Sequence, residues 1–445
     1  MSSPLLTLLA AKVDAGDTAW LLAASALVLL MAPGLALFYG GMVRSKSVLN
    51  MMMMTFGALA AITVIWVIVG YSLAFGDDVG GGLLGDPFQH WALHGLLAPG
   101  ADSWLTVPVI LFAAFQGLFC VITGALVSGA IADRARFGAW MVFVSVWTVL
   151  VYAPVAHWVF DFDRDGHVGG WLANKVGVVD FAGGTAVEIC SGASALAVAL
   201  VIGARVGFGK DPMRPHNLTL VMLGAGLLWF GWFGFNAGSA LKADHTAAMV
   251  FVTTLCAGAA GTLSWLATER VRDGHATSLG GASGLVAGLV AITPSCSSLT
   301  PFGALVMGAA AGLVCAWAVG LKYRFGYDDS LDVVGVHLVG GLVGTIGIGL
   351  IASDAAPAGV SGLLYGGGVD QLGKQLVAAA VVGAYAFVVS GVIAVVVDRA
   401  MGFRVDEEHE VSGIDLVVHA ETAYDLHATA GARSSGFLGN RDRED

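Results

Sequence analysis

Charged residues are scarce in this sequence. Asp, Glu, Lys and Arg make up 12% of its 445 residues, whereas 57% are hydrophobic and the mean hydropathy is +0.81. A soluble domain covers its surface with about a quarter charged residues, so this composition excludes a water-soluble protein. Lipid is the remaining environment for so much apolar side chain.

Cysteine is also scarce, and its five positions (120, 190, 256, 296 and 315) show no CxxC spacing. This indicates small apolar fillers rather than a metal or redox site. A nucleotide loop, a nucleophile triad, a zinc signature and a mid-span Lys for a retinal Schiff base are all missing. We therefore predict no enzymatic activity, cofactor, metal or nucleic-acid partner. The opening MSSPLLTLLA lacks a basic n-region, which does not support a cleaved signal peptide.

The sequence contains eleven apolar stretches, each near the roughly 20 residues that cross the hydrocarbon core of a bilayer. They cover residues 20–39, 55–75, 106–132, 138–158, 181–203, 218–237, 247–268, 278–293, 302–321, 333–352 and 375–397, of which the eighth is shortest. Among the 63 glycines, Gly335, Gly340, Gly341 and Gly344 fall in one stretch. Small residues let membrane helices approach closely, so these glycines predict tightly packed spans.

Lys and Arg are distributed unevenly between alternate loops, which sets membrane orientation. With the N-terminus outside, the inner side holds residues 44, 46, 134, 136, 205, 210, 214, 270, 272, 322, 324, 399 and 404, and the outer side 12, 164, 175, 242 and 374. An odd number of spans then places the C-terminal tail in the cytosol. The sequence thus predicts an all-α polytopic membrane protein.

An internal repeat is indicated by two aspartates. Asp180 opens the fifth stretch in DFAGGTAVE and Asp329 the tenth in DSLDVVGVH, and Glu188 or His337 follows eight residues later. Two five-span units, the second inverted, would give this spacing and place a substrate site at mid-membrane. The alternative is two unrelated Asp-capped helices.

The predicted division of the chain follows from the repeat. It has an extracytoplasmic N-terminus (1–19), a first repeat (20–203), a cytosolic linker (204–216) and a second repeat (217–352). An outer loop with the eleventh span (353–398) and a cytosolic tail (399–445) complete it.

Few ionisable residues lie inside the predicted spans, and those that do are functional candidates. Eight residues of helix rise roughly 12 Å, so Glu188 and His337, entering from opposite faces, are expected to meet. His157, near a span end, is more typical of a structural histidine. Asp180 and Asp329 are interpreted first as helix N-caps.

Aromatic residues form a second group. Phe115 and Phe119 share a face of the third span, Trp147 lies in the fourth, and the sixth contains Trp232, Phe233, Phe235, Asn236 and Ser239 in LLWFGWFGFNAGSA. Aromatic faces attract small cations, and a hydroxyl oxygen can accept a hydrogen bond from an N–H group of an ammonium-like cation. The pattern predicts a cation-selecting mouth above a dry throat.

Two other motifs are discounted. DFDRDG at 161–166 begins like a calcium loop, but its twelfth position is Leu172 rather than Glu. It is interpreted as a hydrated acidic turn. The four methionines at 51–54 lack the spaced ligands of a copper site.

Several motifs together resemble the ammonium transporters of the Amt/Mep/Rh family over nearly the whole chain. They are FYGGMVRSK (38–46), AAFQG, DFAGGTAVE, RVGFGKD, PHNL, WFGFNAGSA, DVVGVH and the tail from RVDEEHE to HAETAY. The resemblance implies a cell-membrane protein with eleven spans, a five-plus-five inverted repeat, a pore in each subunit and a homotrimer.

The resemblance also implies residue roles. Phe115, Trp147 and Ser239 match the family's outer ammonium recruitment site, and Asp180 matches its essential aspartate. Phe119 and Phe235 match its phenyl gate, and Trp232 matches a pore-lining position. Trp147 with Ser239 resembles the Amt branch. Most members have a pair of pore histidines. His337 matches one of them, and this sequence has Glu188 at the position of the other, as some fungal members do.

The function that follows is ammonium transport, with deprotonation at the mouth, passage of ammonia and a separate proton relay through Glu188 and His337. Such uptake is electrogenic. Two alternatives remain: a sensor with little flux, and a passive ammonia channel. The tail at 404–426 resembles the region that receives a PII-type regulator, or is a solvated acidic extension. The final GARSSGFLGNRDRED is predicted to be disordered.

Overall fold

The computed structural model describes residues 13–98, 101 and 104–424. Within this part of the chain there are helices and turns but no β-strand. The helices are α1 Ala15–Met42, α2 Val48–Phe75, α3 Val109–Ile131, α4 Phe137–Phe160, α5 Gly184–Ile202, α6 Leu218–Gly238, α7 His245–Arg272, α8 Ser278–Ile292, α9 Pro301–Phe325, α10 Val334–Ile351, α11 Asp370–Met401 and α12 Glu407–Ser412. The predicted disordered end and the MSSPLLTLLA segment lie outside the described residues.

The helices α1 to α11 coincide one to one with the predicted apolar stretches. Ten of them are long and apolar enough to cross a membrane, and α8, with 15 residues, is shorter. Predicted ends differ by a few residues, since α1 begins at Ala15 rather than at residue 20. The Asp14 carboxylate, which accepts from two backbone N–H groups, fixes that earlier start.

The helix ends form two opposite faces of the bundle. The Asp180 face carries Asp14, whose N–H donates to the carbonyl of Thr106 (2.7 Å), and also Asp180. The Asp328 face carries Val43, whose carbonyl accepts from His216 N–H (3.2 Å), and also Asp328. Successive helices run alternately between these faces.

Glycines allow the first helices of the two predicted halves, α1 and α6, to pack backbone against backbone. A Cβ atom on Gly224 of α6 would lie 2.3 Å from the backbone nitrogen of Phe38 in α1. The same holds between α10 and α8, where a Cβ atom on Gly344 would lie 2.1 Å from the carbonyl oxygen of Ala291. No side chain fits at either point. The prediction that glycine serves close packing of the spans is confirmed.

The fifth and tenth helices share one construction. Each begins with a π-helical turn, Gly184–Ile189 in α5 and Val334–Leu338 in α10. Each continues as a 13-residue α-helix, Cys190–Ile202 or Val339–Ile351. This correspondence supports a repeat rather than coincidental spacing.

The Asp328 face is held by a buried ion network. The Arg205 guanidinium donates to both oxygens of Asp328 (2.8 Å each) and to Asp133 (3.1 Å). Arg134, fully buried, donates to the Asp328 carbonyl (2.6 Å), and burial lowers the pKa of Arg134 to about 10. Burial opposes ionisation of Asp328, but hydrogen bonds from Arg205 hold its pKa below the usual value.

The described part of the tail packs onto this face. The Asp415 carboxylate accepts from the backbone N–H of Asn50 (2.8 Å) at the start of α2. Glu410, fully buried, accepts from Arg404 (2.8 Å). Residues 403–424 are therefore a docked segment rather than a solvated extension.

Candidate functional site

The two π-helical turns bring Glu188 and His337 together. Nδ1 of His337 lies 2.7 Å from Oε2 of Glu188, and the side chains are 5% and 1% exposed. A Cβ atom on Gly341 would lie 2.8 Å from Cβ of Glu188, so glycine is what lets α10 approach α5 here. The predicted meeting of an acid and a base is confirmed.

Asp180 positions the first of these turns. Its carboxylate accepts from the backbone N–H groups of Gly183, Gly184 and Thr185, each at 2.7 Å, and from the Thr185 hydroxyl. These N–H groups have no intrahelical partner at a helix start, so the carboxylate satisfies them and the positive end of the dipole together. The predicted capping role is confirmed.

Asp329 caps the second turn in the same way but accepts hydrogen bonds from fewer donors. It accepts from the N–H groups of Val333 (3.0 Å) and Val334 (2.7 Å). Burial raises its pKa to about 6, although the neighbouring Lys322 ammonium acts in the opposite direction. Its capping role is likewise confirmed.

A pair of stacked rings lies between the Asp180 face and the acid–base pair. Phe119 of α3 and Phe235 of α6 are 12° from parallel, with centroids 4.0 Å apart. Trp232 packs against Phe235 (centroids 5.9 Å) and donates its indole N–H to the Thr293 hydroxyl (2.8 Å). At this separation the two rings leave no opening for a hydrated ion.

On the inner side of these rings is a narrow cavity of about 10 Å³, enough for one water-sized molecule. Its wall is apolar apart from two polar groups, Glu188 and His337, and includes Trp232 and Phe235. A small neutral molecule fits this space, whereas a hydrated cation does not.

On the other side is a vestibule of about 440 Å³ at the Asp180 face. Aromatic rings, three carboxylates, an amide, a guanidinium and a hydroxyl line it: Phe75, Trp104, Phe112, Phe119, Phe160, Phe162, Phe181, Asp161, Asp163, Asp180, Gln116, Arg164 and Ser239, with Leu241. Phe119 lines the vestibule and Phe235 the narrow cavity, so the stacked rings separate the two.

Ser239 lines the vestibule beside the gate rings, and Phe115 is buried behind it. Phe115 is fully buried beside Phe119 (centroids 5.0 Å), and a Cβ atom on Gly238 would lie 3.1 Å from its ring. The Ser239 hydroxyl donates to the Phe235 carbonyl (2.8 Å). The structure thus brings these two predicted mouth residues to the gate rings.

Trp147 is not at the mouth, contrary to the sequence prediction. Its side chain is fully buried, and its indole N–H lies 3.0 Å from the Ser194 and 3.1 Å from the Ser390 hydroxyl oxygen. Ser194 follows Glu188 on α5, so Trp147 lies on the far side of that residue from the vestibule. The physical reason is depth: Trp147 is thirteen residues, roughly 20 Å, before the vestibule end of α4.

Phe160 is the vestibule residue of α4 that the sequence reasoning missed. Its ring meets Phe119 edge to face (centroids 6.4 Å, 87°), and it is the last residue of the helix. The predicted span ended at residue 158, before Phe160. The signal available was an aromatic residue directly ahead of the acidic DFDRDG turn.

Other candidates from the sequence lie outside the route. Nδ1 of the buried His157 is 3.1 Å from the Ala74 carbonyl oxygen, consistent with its structural interpretation. Phe233 stacks on Phe251 of α7 (4.1 Å), and Asn236 donates to Thr254 of the same helix. Neither residue lines the vestibule or the cavity.

The DFDRDG turn is an ion-paired loop. The Asp161 carboxylate lies 3.0 Å from Arg164 and 2.7 Å from Nε2 of His167. Burial opposes protonation of His167, but hydrogen bonds to Asp161 and Asp77 raise its pKa. In the described ranges, no group of three or more His, Cys, Asp or Glu residues is placed to hold a metal ion.

Comparison with known proteins agrees with this arrangement. The Ammonium Transporter Family model matches residues 19–424. An ammonium transporter of Mycobacterium tuberculosis is 56% identical over 440 residues, covering 94% of this chain and 92% of that protein. The Saccharomyces cerevisiae Mep2 structure is 34% identical, with a TM-score of 0.82 and coverage of 92% and 91%. A structure described as a sensor Amt protein is 27% identical, with a TM-score of 0.82 and coverage of 90% and 98%. This chain therefore belongs to the ammonium transporter family.

Proposed function

We propose that this transporter takes up ammonium at the Asp180 face, conducts ammonia through the narrow cavity and moves the proton separately. The observation that carries the proposal is the order of its parts. A polar vestibule is followed by a closed pair of rings, a cavity for one small molecule and a buried acid–base pair. A charged ion is costly in such a cavity, whereas neutral ammonia is not.

The Asp180 face is the outer face in this proposal. The Lys and Arg residues that the sequence assigns to inner loops are on the Asp328 face, among them Arg44, Arg134, Arg205 and Arg404. Cytoplasmic loops are enriched in such residues. With α8 as the eleventh crossing, the N-terminus is outside and the tail is cytosolic, in the cell membrane.

Recruitment of ammonium is assigned to the floor of the vestibule. The Ser239 hydroxyl already donates to a carbonyl, so its oxygen lone pairs are available to an ammonium N–H group. The rings of Phe119 and Phe160 present aromatic groups to a cation, Phe115 packs directly behind Phe119, and Asp180 adds negative charge nearby. Trp147 has no part in this site.

The proton leaves ammonium above the stacked rings and is relayed by Glu188 and His337. The two side chains share one hydrogen bond, along which a proton can pass from one to the other. Uptake then carries one positive charge per ammonia. Phe119 and Phe235 act as the gate, and Trp232 lines the route.

Currents on a solid-supported membrane test the relay directly. Reconstituted protein is expected to give a current after an ammonium jump, and Glu188→Gln, which keeps shape but cannot exchange a proton, is expected to abolish it. Glu269→Gln is the matched control, because Glu269 caps α8 and does not line the route. Ammonium uptake without current would contradict the relay and favour a passive ammonia channel. An undiminished current in Glu188→Gln would show that charge moves without the Glu188 carboxyl and would also contradict the relay.

A sensor with little flux is the second candidate, because the described fold is as similar to the sensor Amt protein as to Mep2. Saturable ammonium binding to the purified protein without current or uptake would support it. Measurable flux at the same ammonium concentration would exclude it.

The proposal includes a homotrimer of chains divided into two five-helix repeats, and a PII-type regulator at the Asp328 face. The docked tail offers this partner a defined surface, with Glu410 and Asp415 fixing its position. Native mass in detergent tests the trimer, and co-purification with a PII protein tests the partner.

A further inference from the structure

A fixed positive charge lies in the vestibule through which a cation is proposed to enter. The Arg164 side chain lines this space and is 23% exposed. Its Cζ lies 4.2 Å from the centroid of the Trp104 ring, and its Nη1 lies 3.0 Å from Oδ1 of Asp161. A guanidinium on this path has no place in the transport scheme described so far.

The two groups that hold Arg164 would otherwise bind a free cation. The Asp161 carboxylate is fully buried, and its second oxygen already faces His167 (2.7 Å) and His157 (3.3 Å). Its first oxygen is left to Arg164. The Trp104 ring is held edge to face against Phe112 (5.3 Å) and presents a face to the guanidinium. A carboxylate oxygen and an aromatic face together attract monovalent organic cations.

The backbone keeps Arg164 in this position. Arg164 and His167 exchange two backbone hydrogen bonds (3.1 and 2.8 Å), which close a tight turn. The Asp163 carboxylate accepts from Gly169 N–H (2.7 Å) and braces the same turn. The guanidinium is therefore presented by an ordered loop rather than by a free surface side chain.

We propose that Arg164 is a specificity-determining residue, whose tethered guanidinium occupies the cation site formed by Asp161 and Trp104. With that site filled, cations that lack N–H donors find no binding place at the mouth. Ammonium passes to the floor, where Ser239 accepts its N–H group. This inference rests on the proposed function and adds the means by which the mouth rejects competitors.

The test compares Arg164→Gln with wild-type protein, using tetramethylammonium as a competitor that has no N–H group and cannot be deprotonated. Removal of the guanidinium frees the carboxylate and the ring, so inhibition of the ammonium current by tetramethylammonium is expected to strengthen by roughly 3- to 10-fold. The apparent KM for ammonium is expected to fall. Arg164→Met, which keeps an unbranched stem against Trp104, is the second variant if Gln disturbs the loop.

Lys374→Gln is the matched control. Lys374 is on the same face and pairs with Asp370 (2.6 Å), but it does not line the vestibule. The Lys374→Gln substitution removes one positive charge, as Arg164→Gln does, but does not open the Asp161 site. It is expected to leave inhibition by tetramethylammonium at the wild-type value. Equal inhibition of wild type and both Arg164 variants would overturn the proposal. An equal increase in Lys374→Gln would also overturn it, because net surface charge would then be the cause.

Calorimetric titration of purified protein separates this inference from the transport function. Tetramethylammonium is expected to bind Arg164→Gln more tightly than wild type whether or not ammonium is carried. A wild-type protein without ammonium current would refute the proposed function alone. Equal tetramethylammonium affinity in the two proteins would refute the role of Arg164 alone.

Discussion

The turns Gly184–Ile189 and Val334–Leu338 occupy equivalent positions in the two predicted halves but have different surroundings. Asp180, before the first turn, accepts three close backbone hydrogen bonds and one from a hydroxyl, and it lines the vestibule. Asp329, before the second, accepts two and lies buried beside Lys322. The same eight-residue spacing from each aspartate brings Glu188 and His337 together, whereas the surroundings of the turns differ, since Asp180 lines the vestibule and Asp329 does not.

The largest expected effect comes from removing the two capping carboxylates. Asp180→Ala leaves several buried donors unsatisfied at about 1 to 3 kcal/mol each, so we expect loss of folded protein or a strongly lowered unfolding midpoint. Asp329→Ala orphans only two backbone donors, and the unfolding midpoint is expected to fall less. Thermal unfolding in detergent measures both. An equal or larger loss in Asp329→Ala would show that the two turns are not distinguished in this way.

The pH dependence sharpens this comparison. The pKa of Asp329 is raised to about 6, so its neutral form is favoured in the folded protein and its ionised form costs stability as pH rises from about 4 through 6. Asp329→Ala removes that cost. We expect its destabilisation relative to wild type to be larger at pH 5 than at pH 8, and the opposite trend would contradict the assignment.

The next effect tests whether the halves are interchangeable at the acid–base pair. His337→Glu places two carboxyls at hydrogen-bond distance, where they must share a proton, and we expect the ammonium current to fall about tenfold or more. Combining it with Glu188→His restores an acid and a base with their positions exchanged. Recovery of the current in the double variant is expected. A double variant that stays at the level of His337→Glu would show that each turn requires its own residue.

A smaller effect concerns the loop that enters the first turn, where His167 pairs with Asp161 and Asp77, whereas the loop before the second turn carries the pair of Lys322 with Asp332. Because the pKa of His167 is raised by Asp161 and Asp77, its protonated form stabilises the loop. This contribution is present below pH 6.5 and is lost as pH rises through the raised pKa. Hydrogen exchange of residues 161–170, corrected for intrinsic rates, is expected to accelerate from pH 6 to pH 9.

His167→Gln provides the comparison for this loop. It is expected to exchange rapidly at every pH, because the imidazolium contribution is gone. Exposed His245 on the same face gives the matched control, and His245→Gln is expected to behave as wild type. A wild-type loop whose corrected exchange does not change with pH would contradict the role of His167.

The fold and the centre of the site could be predicted from the sequence because both depend on regular spacing. Apolar length located the helices, and the equal eight-residue spacing after Asp180 and Asp329 placed Glu188 opposite His337, although the helices themselves begin at Gly184 and Val334. The stacking of Phe119 on Phe235 came from resemblance rather than from spacing. Arg164 and Asp161 belong to one turn and are three residues apart. The packing of Arg164 on Trp104 could not be predicted, since it joins two loops whose residues are far apart in sequence.

Trp147 was placed wrongly because its assignment did not rest on regular spacing. The family resemblance assigned Trp147 to the recruitment site, but depth along α4 decides which ring reaches the vestibule. The Trp147 indole is hydrogen-bonded to Ser194 and Ser390, whereas the ring of Phe160, at the helix end, contacts the ring of Phe119.

The smallest expected effect separates these two positions on α4. Trp147→Phe removes the indole contacts to Ser194 and Ser390, so we expect about 1 to 2 kcal/mol of stability to be lost while the KM for ammonium current stays at the wild-type value. Phe160→Leu keeps an apolar side chain but removes a cation-attracting ring from the vestibule, and the KM is expected to rise about threefold. The opposite result, with KM raised by Trp147→Phe and not by Phe160→Leu, would place recruitment below the gate, where the cavity admits only one water-sized molecule. Ammonium would then have to shed its hydration shell before it is recognised, so the two KM values decide whether recognition precedes desolvation.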